Sequence, residues 1–189
     1  MLAFHGTTEK SAKAIIAKGF KLPKYAGDLG RGAYGYIDTP DKPYFDTAIS
    51  NAKKYAYREA HKVDQGICVI QFEVQINEHG NEVLNFNDPD TVDKYQRLVA
   101  NTRKAVEKEK PRRFKRAKRK QDDGYILEWE IAHGFVEDAV VVIMDTHTDF
   151  KAIRGNFPNG REACVRKIEC IAGYKMLDLN QGGISDVKS

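Results

Sequence analysis

Residues 67–76 read Ile-Cys-Val-Ile-Gln-Phe-Glu-Val-Gln-Ile. Ile67, Val69, Ile70, Phe72, Val74 and Ile76 nearly alternate with the remaining positions, the period-two pattern of a half-buried strand. Outward from this segment, helical and strand patterns interleave. Upstream, Ala3-Phe4 reads as the end of a short strand, and Thr7 or Thr8 can cap a helix over residues 9–18 that stops at Gly19. Ala48, Ile49, Ala52, Tyr55 and Ala56 are spaced by threes and fours, which predicts a second helix over residues 46–60. Downstream, the patterns predict a helix over residues 91–108, strands over 125–132 and 139–145, and a last strand pair over 168–179 around Gly173. Such a mixture is α+β.

The chain has 189 residues, of which 41% are hydrophobic, 31% charged and 10% aromatic. That is enough apolar surface to offset ordering entropy, so wholesale disorder is excluded and one domain is expected over residues 1–180, with a fraying tail at 181–189. The longest apolar stretch, residues 139–144, is about a third of a membrane span. His5 follows Met1-Leu2-Ala3-Phe4 where a signal peptide would have its apolar core, so a cytoplasmic protein without membrane attachment is expected. Cys68, Cys164 and Cys170 form no CxxC and no paired Cys/His spacing; neither a disulfide framework nor a zinc module is signalled, and no metal is expected.

The net charge of +4 conceals an uneven distribution. Residues 108–120 hold nine Lys/Arg against the single Glu109, a charge of +8, so the remaining chain carries −4. Lys108, Lys110, Arg112, Arg113, Lys115, Arg116, Lys118, Arg119 and Lys120, with Phe114 among them, have the density of a phosphate-backbone contact. A solvated loop is the bland alternative.

Three features follow in order: His5-Gly6-Thr7 after the first strand, Gly30-x-Gly32-x-Tyr34 in a glycine-rich turn that runs into a short aromatic strand, and Glu128-x-Glu130 on the strand expected at residues 125–132. Singly, each reads as readily as a structural histidine, a turn and an exposed polar face. Together, with "FHGTT", "GDLGRGAYGY", "AKKYA" and "YILEWEI", the order resembles the NAD-dependent ADP-ribosyltransferases of the His-Tyr-Glu branch, which includes the diphtheria-toxin-like and poly(ADP-ribose) polymerase domains. The resemblance spans roughly Phe4 to Val142. It implies a split β-sandwich of two mostly antiparallel sheets flanked by helices, with NAD in the cleft between them as co-substrate.

By that resemblance, His5 binds the adenosine-side ribose, Gly6 bonds the nicotinamide carboxamide, and Thr7 and Arg31 belong to the NAD-binding set. Tyr34 stacks on the nicotinamide, and Tyr55 resembles the second stacking tyrosine, with Tyr36 or Tyr44 as substitutes. Two tyrosine faces suit a cationic aromatic ring. Ala52 stands where many relatives carry a carboxamide-binding serine. Loss of nicotinamide leaves positive charge on the ribose, which a carboxylate beside the sugar stabilises in the transition state. A strand would put Glu128 and Glu130 on one face; Glu130 is expected to be the catalytic glutamate and Glu128 to orient or deprotonate the acceptor, with the pair open to exchange.

In these enzymes the segment ahead of the catalytic glutamate meets the target, and here it is the basic run at residues 108–123. The expected activity is therefore a single transfer of ADP-ribose to nucleic acid, RNA ahead of DNA, by an intracellular toxin or anti-phage effector that an antitoxin restrains. The alternatives are transfer to a protein, a tRNA 2′-phosphotransferase-like reaction, and a non-enzymatic RNA-binding module. His61, His79, His133 and His147 show no ligand spacing; His133 is a secondary cleft candidate. Trp129 is expected in the core, and Cys164 and Cys170 as buried thiols.

Overall fold

The computed structural model describes residues 1–60, 66–76, 82–109, 123–148 and 157–177. Among them are seven strands, β1 Leu2–Thr8, β2 Ala33–Ile37, β3 Ile67–Val74, β4 Val83–Asn85, β5 Val141–Thr146, β6 Gly160–Val165 and β7 Ile171–Leu177. Four α-helices accompany them: α1 Glu9–Lys18, α2 Ala48–Ala60, α3 Pro89–Glu109 and α4 Asp123–Ala132. The architecture is α+β. No helix among the described residues is long and apolar enough to cross a membrane.

The strands form one sheet in the order β4-β5-β6-β2-β1-β3-β7, antiparallel except for the β4/β5 pair. The sequence reading expected two sheets; hydrogen bonding joins the strands into one. The join is narrow, because β1 and β2 share the single register pair Phe4↔Tyr36, whereas β1 runs beside β3 for its whole length. The largest core cluster draws on both sides of this pinch. Ala3 of β1 and Phe72 and Val74 of β3 pack with Ala33 of β2, Val141 of β5 and Ala163 and Val165 of β6. A Cβ on Gly35 of β2 would sit 2.9 Å from the Phe72 ring of β3, two strands away in the sheet. The opposite face carries α2, through Phe4, Tyr36, Ala48, Ala52 and Val69, and α4, through Leu127 against Val142 and Cys164.

Thr8 caps α1, its hydroxyl accepting the Ser11 amide at 3.3 Å, and Gly19 closes the helix at φ 75°, a conformation that favours glycine. The segment 125–132, expected as a strand, is the helix α4 instead. Its apolar residues satisfy a two-residue alternation, but Gly124, Leu127, Trp129 and Glu130 are all buried, so the helix is covered on several sides and has no single apolar stripe to betray it. The expected closing strand pair is a 3₁₀ turn, Ile168–Cys170, followed by the single strand β7. Two strands, β4 and β6, had no counterpart in the sequence reading. Cys68 and Cys164 are buried free thiols, while Cys170 is half-buried.

On β5 and β6, Arg161 Nε donates to Asp145 Oδ1 at 2.6 Å, and Lys42 pairs with Asp145 as well. Burial opposes the charge on Asp145, but the two cations overcome it and hold its carboxyl below the ordinary aspartate range. A carboxyl so depressed stabilises the fold above its unfolded pKa and loses that contribution as pH falls through the folded value. Asp145→Asn is expected to cost about 1–3 kcal/mol near neutral pH, with the difference from wild type shrinking in acid, as read by denaturant titration at several pH values.

Candidate active site

Because β1 and β2 part after Phe4↔Tyr36, the sheet is open between them, and a cavity of about 700 Å³ lies there, within the size range of small-molecule sites. Phe4, His5 and Gly6 of β1 line it, with Tyr34, Gly35 and Tyr36 of β2. Tyr55 and Arg58 come from α2, Gly27 and Asp28 from the glycine turn, Thr146, His147 and Thr148 from the end of β5, and Glu162 from β6.

The register that sets Phe4 opposite Tyr36 would set Gly6 opposite Tyr34, yet that pair is not made. His5 Nδ1 instead reaches the Tyr34 carbonyl oxygen at 2.8 Å. A carbonyl only accepts, so Nδ1 carries the proton and the neutral ring keeps a lone pair at Nε2. Burial holds the His5 pKa below the ordinary histidine value. Gly6 is dictated by packing: a Cβ there would overlap the Ala52 carbonyl oxygen of α2. Ala52, the departure from the serine pattern, is itself fully buried against β1.

Tyr34 is fixed at its hydroxyl, which accepts the Leu29 amide at 2.8 Å and donates to the Gly30 carbonyl at 2.9 Å. The turn that makes these bonds is closed by Gly27 and Gly30, whose amides and carbonyls pair reciprocally, with Gly30 at φ 95°. Tyr34 thus lines the cavity with its hydroxyl anchored in the turn, and burial raises its pKa. Tyr55 shares the cavity wall, with the Arg58 guanidinium 4.5 Å from its ring centroid. Of the two substitutes for Tyr55, Tyr36 lines the cavity and Tyr44 is exposed.

The two glutamates expected at the site are elsewhere. Two residues apart on a helix, Glu128 and Glu130 point about 200° apart, so they do not share a face. Glu130 is fully buried, accepts the Thr102 hydroxyl of α3, and leaves Oε2 with no partner among the described residues. Glu128 accepts the Arg31 amide at 2.6 Å and pairs with Arg166, which also holds Asp138. One glutamate therefore sits between two helices, and the other clamps the glycine turn to the end of β6. Glu130→Gln is expected to leave any chemistry in the cavity within about twofold of wild type and to shift the thermal midpoint by no more than a few degrees, because a buried carboxylate with one oxygen unpartnered gives up little when neutralised. Turnover and calorimetry on the same sample would check both.

Of the remaining expected residues, Thr7 and Arg31 do not line the cavity; Arg31 Nε donates to the Pro23 carbonyl at 3.0 Å. Trp129 is buried, its indole donating to Glu109 at 2.8 Å, and His133 stacks on it with ring centroids 3.8 Å apart, away from the cavity. Arg112, Arg113, Lys115, Arg116, Lys118, Arg119 and Lys120 lie outside the described residues, as do His61 and His79.

Two carboxylates line the cavity: Asp28 of the glycine turn and, on a strand, Glu162, third residue of β6 and opposite Tyr36 in the register. It is half-buried, and burial raises its carboxyl above the ordinary glutamate value, with the Tyr36 hydroxyl opposing in part. Perturbed carboxyls in clefts mark functional sites more often than surface ones do. In the sequence, Glu162 is masked by Arg161 beside it; the three buried residues that follow, Ala163, Cys164 and Val165, were the available sign of a strand. Among the described residues no group of three or more His, Cys, Asp or Glu could hold a metal ion. His5, Tyr34 and Glu162 thus stand on the three consecutive strands β1, β2 and β6 around one opening. No protein-family model matches the chain, nor does any curated protein or solved structure compared with it.

Proposed function

We propose that the chain is an NAD-dependent ADP-ribosyltransferase in which Glu162, not Glu130, is the catalytic glutamate. The observation that carries this reading is the convergence of His5, Tyr34 and Glu162 on one cavity, the three residue types of the resemblance in the same order along the chain. The split β-sandwich belongs to the same proposal. The single pair joining β1 to β2, and the core shared across that pinch, support it.

In this reading the cavity holds NAD, the Tyr34 and Tyr55 rings flank the nicotinamide, and His5 Nε2 accepts from a ribose hydroxyl. Arg58 replaces Arg31 as the cation available to the diphosphate, since Arg58 lines the cavity. Glu162, ionised, offers its charge to the ribose as the bond to nicotinamide breaks and its electron pair leaves with the departing ring. In a half-buried site this interaction strengthens as positive charge grows on the sugar, which favours the transition state.

The acceptor we propose is nucleic acid, RNA ahead of DNA. The charge of the run at residues 108–120 supports it, as does the position of the first helical turn after that run. A Cβ on Gly124 would overlap the Gly27 carbonyl oxygen, so α4 begins in contact with a residue that lines the cavity. The test is adenylate-labelled NAD incubated with the protein and total RNA. Nicotinamide release with RNase-sensitive label is the expected result. Label sensitive only to protease in a cell extract would replace the acceptor, and absence of nicotinamide release would overturn the reading.

A further inference from the structure

His147 has no spacing in the sequence that singles it out, and none of the roles assigned above uses it. It follows β5 directly and lines the same cavity as Glu162. Its Nδ1 lies 2.7 Å from the Phe157 carbonyl oxygen. On either side of it the backbone is stitched down: Asn159 N donates to the Thr146 carbonyl at 3.0 Å, Thr148 N donates to Asn159 Oδ1 at 3.0 Å, and Asn159 Nδ2 returns to the Thr148 carbonyl at 2.9 Å. The ring is held by its proton-bearing nitrogen in a rigid frame.

Since a carbonyl only accepts, Nδ1 carries the proton, and neutral His147 keeps its lone pair at Nε2. That Nε2 is buried and has no hydrogen-bond partner among the described residues. A buried acceptor left without a donor is costly in a folded protein, and a fixed one at a cavity wall is satisfied by a donor that the cavity's occupant brings. NAD brings ribose hydroxyls, the nicotinamide amide and the adenine amino group as donors, and the reaction adds the acceptor's nucleophile.

We infer that His147 is the general base of the transfer, and that the acceptor therefore attacks through a group that still bears its proton, a hydroxyl or a weakly acidic N–H, rather than through a carboxylate. This inference rests on the transferase reading and deepens it. In the step, the acceptor oxygen or nitrogen forms a bond to the ribose C1′ while the C1′–nicotinamide bond breaks. The electron pair leaves with nicotinamide, and the acceptor's proton passes to His147 Nε2 and then to solvent. Glu162 stabilises the sugar's charge, and His147 removes the proton, so the two roles fall on separate side chains.

The test uses His147→Asn, whose side-chain amide can still donate to the Phe157 carbonyl while lacking a counterpart to Nε2. With labelled NAD and a cell extract as the acceptor mixture, transfer is expected to fall about 10²–10³-fold and nicotinamide release in buffer alone less than about tenfold, with partial rescue of transfer by added imidazole. Transfer at the wild-type rate, or equal loss of transfer and buffer-only cleavage, overturns the inference. Nitrogen NMR of the wild-type His147 ring reads the same claim without turnover: an unprotonated Nε2 is expected, and a neutral ring protonated at Nε2 overturns it even if the variant fails to fold. A wild-type protein that cleaves NAD but labels no acceptor overturns the inference together with the transfer step, and leaves NAD cleavage standing. One that cleaves no NAD overturns the transferase reading, and the inference with it.

Discussion

Glu162→Gln is expected to lower nicotinamide release from NAD by about 10³-fold while raising the thermal midpoint by a few degrees, measured on one preparation by product chromatography and calorimetry. Both effects have one origin. Burial raises the carboxyl of Glu162, so the folded state carries this charge at a cost. The cost is absent in acid, where the group is protonated folded and unfolded alike. It grows as pH rises past the unfolded glutamate value and is complete above the folded one. Glutamine removes it, so the stability gain of the variant belongs to neutral pH and disappears in acid. In the proposed reaction the charge that burdens the fold is the one the transition state uses, and wild-type turnover should fail on the acid side above the ordinary glutamate pKa. A stabilised variant with full turnover would leave Glu162 a structural carboxyl and return the transferase reading to the sequence resemblance alone.

Gly6→Ala is expected to be the most damaging small substitution in β1, at roughly 3 kcal/mol or more, which for a chain of this length lowers the midpoint by about 10 °C. The added methyl would overlap the Ala52 carbonyl oxygen and would lie 3.0 Å from the Ala56 amide nitrogen, both backbone atoms of α2 that cannot swing aside. Either the helix lifts from the sheet or β1 moves toward the opening, and in both cases the cavity wall that carries Tyr55 and Arg58 shifts. Loss of NAD binding by calorimetric titration should therefore accompany the loss of stability. Unchanged affinity in a destabilised Gly6→Ala protein would show that α2 gives way without disturbing the site.

The sequence made α1, α2 and β3 readable through their spacing and caps, and of β1 only the stretch at Ala3-Phe4; His5, Gly6 and Tyr34 were singled out by the order of motifs in the resemblance, and all three line the cavity. Tyr55 came from the same resemblance, on a helix whose spacing was legible. The proposed catalytic glutamate was not readable. The "YILEWEI" run alternates as a strand does, and only its burial between α3 and the sheet shows it to be a helix whose acidic residues face structural partners. Glu162 lay in β6, a strand of six residues whose first three carry a glycine and two charges, so local pattern argued against it. Its place is fixed by pairing with β2 and β5, which are 125 and 16 or more positions away in the chain and invisible to any window of neighbouring residues. His147 was silent for a different reason, because its partner is a main-chain carbonyl and leaves no mark in the sequence.

The His5 imidazole occupies the place where a rung between β1 and β2 would be, holding the Tyr34 carbonyl with a nitrogen that keeps its hydrogen whether the ring is neutral or charged. It acts as a spacer that sets how far apart the two strand edges stand. Acid can add a proton at Nε2 and change what the ring offers a ligand, but it does not remove the strut. The doorway of the cavity should keep its width across the pH range in which its chemistry switches on and off.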